Sequence, residues 1–112
     1  MQFTISSELR DHMASKGKTH IVVEVAESNA SDFEVTEIFY RLCNEKHAEY
    51  LIKKGYKENP LYLEETLDSE VGEETDKKVL LKPYNFEINE RVHFYRKKHF
   101  IFKSLKAEGI KL

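Results

Sequence analysis

The 112-residue chain has no tryptophan, one cysteine, two prolines and four glycines. One cysteine, Cys43, excludes an intramolecular disulfide and makes a cytoplasmic location the expectation. The glycines, Gly17, Gly55, Gly72 and Gly109, are too scattered to form a phosphate-cradling loop. Nothing approaches the roughly 18 consecutive apolar residues of a membrane span, so no membrane association is expected. The opening Met1-Gln2-Phe3-Thr4-Ile5 lacks a charged and then apolar leader, and no secretory signal is expected.

What is present is charge, and it is segregated. Eight acids (Glu58, Glu64, Glu65, Asp68, Glu70, Glu73, Glu74, Asp76) occur from 58 to 76 with no base between them. From Lys77 onward ten bases face only Glu87, Glu90 and Glu108. An acidic loop lying over a basic sheet face is the favoured reading; a basic surface for an anionic partner competes with it.

Apolar alternation is clearest near the C-terminus: Tyr84, Phe86, Ile88, then Val92, Phe94, then Phe100, Phe102. That period-two pattern predicts a closing meander of antiparallel strands, with Phe94, Phe100 and Phe102 in the core. Near the N-terminus, Phe3 and Ile5 suit a strand, and Ser6 or Ser7 caps a helix over 7–16 with Leu9 and Met13 on one face. Gly17 terminates it, and His20-Ile21-Val22-Val23-Glu24-Val25 is a β-branched strand. Residues 34–42 read as a strand, followed by a helix over 45–54. Asn44 caps that helix, Gly55 closes it, and Ala48, Leu51 and Ile52 face inward. One long helix across this region, opened by a Ser31/Glu34 capping box, is the competing reading. Residues 57–78 read as a polar, mobile acidic loop, with Leu61, Tyr62, Leu63 and Leu67 anchoring its first half and mobility centred on 69–77. Val79-Leu80-Leu81 restarts the sheet. The expected fold is a single α+β domain with a mostly antiparallel sheet and two short helices.

No group announces catalysis. Cys43 follows an apolar run and reads as a small buried hydrophobe, although Arg41, Lys46 and His47 lie near in sequence. The pairs Glu64-Glu65 and Glu73-Glu74 fall in the polar connection, where nothing raises a pKa for acid catalysis. His12, His20, His47, His93 and His99 lack zinc-site spacing; only His93 and His99, meeting across a terminal hairpin, would approach. Neither an enzyme nor a cofactor is expected. The residues suited to an anionic partner are Arg91, Tyr95, Arg96, Lys97, Lys98 and His99, basic and aromatic side chains in one segment.

Phe3-Thr4-Ile5-Ser6, a short helix and the strand over 21–25 resemble the opening of HesB-like proteins, relatives of the A-type iron–sulfur scaffolds. Phe100-Ile101-Phe102-Lys103-Ser104-Leu105-Lys106-Ala107-Glu108-Gly109-Ile110 is similar to the closing segment of small clostridial HesB-like proteins that carry a Cys-Cys or Cys-selenocysteine pair. After Val25 this chain reads Ala26-Glu27-Ser28-Asn29-Ala30, with no cysteine pair. The resemblance therefore implies a fold and transfers no ligand. The expected function is a non-catalytic binding or accessory protein, contacting a protein partner or a second copy through a sheet edge. Nucleic-acid binding and a degenerate metal or iron–sulfur accessory role are the alternatives.

Overall fold

The computed structural model describes residues 1–30, 33–66 and 70–112, with backbone alone at 28–30, 33–35 and 99. The elements are β1 (Gln2–Ile5), α1 (Ser7–Ser15), β2 (His20–Ala30), β3 (Phe33–Cys43), α2 (Glu45–Lys53), β4 (Lys57–Leu63), β5 (Glu74–Leu81), β6 (Glu87–His99) and β7 (Phe102–Lys111). The strands form one sheet in the order β3-β2-β5-β4-β1-β6-β7. Its two edges, β3 and β7, approach each other, so the sheet nearly closes into a barrel.

Both helices form where local chemistry requires. Ser6 Oγ accepts the Leu9 amide at 3.2 Å, and Asn44 Oδ1 accepts that of His47 at 2.9 Å. Each side chain thus satisfies a first-turn donor that has no partner within its helix. Gly55, at φ +99°, turns the chain out of α2. Helix α1 lies across one end of the barrel and buries Leu9 and Met13 completely, each worth about 1.5–3 kcal/mol of apolar transfer. Helix α2 crosses the outside and sets Ala48 and Leu51 on Val22, Leu80 and Cys43. That stripe is narrow, and Ile52, expected to face inward, is exposed one position beyond it. No helix among the described residues is long and apolar enough to cross a membrane.

The interior is built by alternation. Phe3 and Ile5, Ile21 and Val23, Val79 and Leu81, and Val92 and Phe94 all point inward and are joined by Leu61 and Ile110. Phe94 stacks on Phe3 at 6.5 Å between centroids and meets the edge of Tyr40 on β3 at 6.2 Å. It therefore links strands from opposite sides of the barrel.

Two expectations are corrected, and in a third region the favoured strand stands over its alternative. The sheet is mixed: the hairpins β2–β3, β4–β5 and β6–β7 are antiparallel, but β1 runs parallel to both β4 and β6, and β2 parallel to β5. Alternation reports which face is buried and carries no information about strand direction. The stretch 57–78, read as a loop, carries strand at both ends, β4 and the first part of β5. Its alternation is broken by a register shift between Pro60 and Tyr62, the kind of irregularity that admits a residue without an amide donor. Leu67, Asp68 and Ser69, which were expected to belong to that loop, lie outside the described residues. Finally, 33–43 is strand, so a single long helix does not form; Ser31 of the supposed capping box also lies outside the described residues.

Candidate functional site

The six residues singled out for anion contact all lie on β6, but they divide into two environments. With Val92 and Phe94 pointing inward, Arg91, His93 and Tyr95 project from the outer face of the barrel. Segment 64–66 follows β4 there, held by the Glu64 amide on the Ile5 carbonyl at 3.0 Å. Arg91 donates to Glu64 Oε1 at 2.6 Å, and the Glu64 side chain is 0% exposed, so this is a largely desolvated ion pair. Gly109 allows the local geometry: it sits at φ +91° beside a register shift between Ile88 and His93, and a Cβ there would lie 2.2 Å from the Arg91 carbonyl.

Next along the same face, His93 is buried and its Nδ1 lies 2.8 Å from the Thr4 hydroxyl, also buried. Burial pushes the imidazole below its ordinary pKa, although Glu64, Glu108 and the Glu65 backbone favour the charged form. Tyr95 stacks on His93 at 5.8 Å and donates its hydroxyl to Glu108 at 3.3 Å. Arg96 pairs with Glu8 in the first turn of α1, and Lys103 donates to the same carboxylate at 3.0 Å. Arg96 first, and Lys103 with it, hold the Glu8 carboxyl down at about 2. Three of the six residues, Arg91, Tyr95 and Arg96, therefore serve intramolecular contacts. The acid-over-base reading holds at one of them, Arg91 with Glu64.

Beyond this stem, β6 and β7 run past the end of β1 as a free-standing hairpin. Lys97 and Lys98 are exposed, and their side chains make no ion pair among the described residues. The His99 backbone pairs with Phe102, while its side chain lies outside the described residues. Two residues, Phe100 and Ile101, close the turn. Phe100 is 93% exposed, Ile101 97% and Phe102 62%. Phe100 also has φ +52°, a left-handed conformation that a two-residue turn ordinarily gives to glycine or asparagine. The expectation that Phe100 and Phe102 belong to the core is overturned. They form an apolar tip on a basic finger.

The remaining candidates are placed as follows. Cys43 is buried under α2, and burial pushes its thiol up despite Arg41 and Lys18. His20, opposite Cys43 in register, lies with Nδ1 2.7 Å from Thr19 Oγ1 and Nε2 2.8 Å from Glu58 Oε2, so both ring nitrogens are occupied. His93 and His99 share β6 and cannot meet across a hairpin; six residues of strand separate them by roughly 20 Å. Among the described residues, no three His, Cys, Asp or Glu side chains converge to hold a metal ion. Glu73 and Glu74 are exposed at the start of β5, whereas Glu64, expected in a solvated connection, is buried. Sequence reasoning missed Thr4 and Glu8, for which no local pattern exists, since each meets its partner 88 or 89 residues away. It also missed the tip, where the Phe100-Ile101 pair replaces turn formers after Lys97, Lys98 and His99.

No protein-family model matches this sequence, and neither the curated proteins nor the solved structures offer a significant match.

Proposed function

We propose that this chain is a small cytoplasmic non-catalytic binding protein, and that it docks the tip of the β6–β7 hairpin into an apolar groove rimmed by carboxylates on a protein partner. The observation that carries this reading is the tip itself: Phe100, Ile101 and Phe102 are exposed together, in a turn whose backbone disfavours a side chain at Phe100. Exposed apolar residues that occur singly are ordinary, whereas a contiguous group held in an unfavourable conformation marks a contact surface. Lys97 and Lys98 flank it and would meet acidic residues at the groove's rim.

The charge around the finger favours protein over phosphate-rich partners. Ile5 pairs with both Leu63 and Phe94, so the hairpin emerges at the same end of the barrel as the start of β5. That end exposes Glu70, Glu73, Glu74 and Asp76, which repel a polyanion but are tolerated by a protein surface of mixed sign. The absence of catalysis in this reading rests on the buried thiol of Cys43 and the occupied nitrogens of His20. The HesB-like relationship enters as a proposal about fold, without cluster chemistry, because no cysteine pair follows Val25. Nucleic-acid binding stays as the second reading on one observation, the two exposed lysines beside the tip, Lys97 and Lys98, which make no ion pair among the described residues.

Cross-linked capture from native extract, comparing the unaltered chain with a Phe100→Ser/Ile101→Ser variant, tests the proposal. The expected result is a stoichiometric protein partner that is lost with the variant and survives nuclease treatment. Loss on nuclease treatment, or tip-dependent retention on anionic phospholipid vesicles in place of a protein, overturns it.

A further inference from the structure

The barrel has two ends and only one helix to close them. At one end α1 inserts Leu9 and Met13. The other end opens into a cleft of about 990 Å³, at the upper limit of the roughly 300–1,000 Å³ usual for small-molecule sites. Its floor is hydrocarbon, with Phe3 and Leu81 from the barrel interior beside Ile88. Tyr84 and Phe86, 5.5 Å apart, form an aromatic wall. Phe86 and Tyr84 belong to the segment between β5 and β6, outside the sheet.

The charged side chains of the lining are both basic. Lys57, at the start of β4, and Lys82, just past β5, both line the cleft, and Asn59 and Asn85 contribute neutral amides. Among the described residues no acidic side chain lines it. Nearby acids are engaged elsewhere: Glu58 with His20 at 2.8 Å, and Glu24 with Arg41 at 3.0 Å and the Tyr56 hydroxyl at 2.9 Å. Glu87, between the cleft residues Phe86 and Ile88, pairs with Lys111 at 3.3 Å. Lys82 is within electrostatic range of Glu24 but makes no side-chain hydrogen bond or ion pair among the described residues; neither does Lys57. Two ammonium groups beside a hydrocarbon floor, with no acidic side chain in the lining among the described residues, match one chemistry best: an apolar body ending in an anion.

We propose that this open mouth binds a small apolar carboxylate, its body lying on Phe3, Leu81 and Ile88 and its head group held by Lys57 and Lys82. The site is independent of the hairpin tip, at the opposite end of the barrel. Isothermal titration calorimetry with decanoate and decylammonium as probes tests it. Decanoate is expected to bind at least about tenfold tighter than decylammonium, the scale of a charge-assisted hydrogen bond. Lys57→Gln/Lys82→Gln is expected to abolish that preference while leaving the fold intact, since both side chains reach solvent at the rim. NMR shift changes on decanoate addition are expected at Phe3, Leu81 and Ile88, and the Phe100→Ser/Ile101→Ser variant is expected to bind as the unaltered chain does. Equal affinity for the two head-group charges, a preference unchanged by the lysine substitutions, absence of binding by either probe, or loss with the tip variant each overturns the proposal.

Discussion

The stem and the tip of the β6–β7 hairpin reverse the usual placement of side chains. In the stem, Arg91 and His93 are drawn against buried partners, Glu64 and Thr4, while at the tip Phe100 and Ile101 stand in water. One strand carries both arrangements. The difference arises from what lies beside each half. The stem has β1, α1 and segment 64–66 against it, and these supply carboxylates and a hydroxyl. The tip runs on past the end of β1, and Phe100 and Ile101 in its turn stay almost fully exposed. Polar groups can be buried where partners are built in, and apolar groups stay exposed where folding offers nothing to cover them.

Replacing Phe94 and Phe100, one from the stem of this hairpin and one from its tip, gives the largest test of the contrast. Phe94→Ala removes the ring joining β1, β3 and β6 and is expected to cost about 3–5 kcal/mol in urea unfolding. Phe100→Gly is expected to leave stability unchanged or raise it by up to about 1 kcal/mol, since glycine accepts φ +52° without strain. Similar losses at both positions would mean that the tip packs in solution.

A smaller effect tests the stem's ion pair. Arg91→Ala strands the fully buried Glu64 carboxylate, one of whose oxygens already lacks a hydrogen-bond partner. The expected loss is about 3 kcal/mol, at the low end for a broken buried pair because Arg91 itself remains partly in water. A change below about 0.5 kcal/mol in the same assay would place the pair among ordinary surface contacts.

The smallest effect is in pH. The folded chain holds His93 below its ordinary pKa of 6.5, so above pH 6.5 the ring is neutral in both states and its contribution is complete. As pH falls below 6.5 the unfolded chain takes up a proton that the buried ring resists, and stability declines by up to about 1.4 kcal/mol per unit. His12, lowered chiefly by burial, acts in the same direction, so the comparison of the unaltered chain with His93→Gln isolates His93. The variant is expected to lose part of the decline below pH 6.5. Glu8 contributes in a separate, more acidic window: its ion pair stabilises above the unfolded value of 4.5 and is lost as pH falls towards about 2. An unchanged slope in His93→Gln would show that His93 is not held neutral by its surroundings.

Where a contact is local, the sequence was readable. Ser6 and Leu9, Asn44 and His47, and Gly55 after α2 lie within a few residues of what they cap or close, so both helices appear at their expected places. The β-branched run at 21–25 forms strand for an equally local reason. Strand β4 was hidden because Pro60 and the bulge after it break alternation, and β5 because its first four residues, Glu74 to Lys77, look like loop. At the candidate site, the basic and aromatic character of 91–99 was visible, but its division was not: nothing near Arg96 in the chain announces Glu8.

Alternation and capping by themselves determined that this chain forms two helices and several half-buried strands around one core, because those signals act over a few residues. Tertiary structure alone decided that β1 inserts between β4 and β6, that both arginines on β6 meet carboxylates from distant segments, and that Phe94 is inside while Phe100 is not. Side-chain type sets the free energy of burial, but only the path of the remaining chain decides whether anything arrives to cover it.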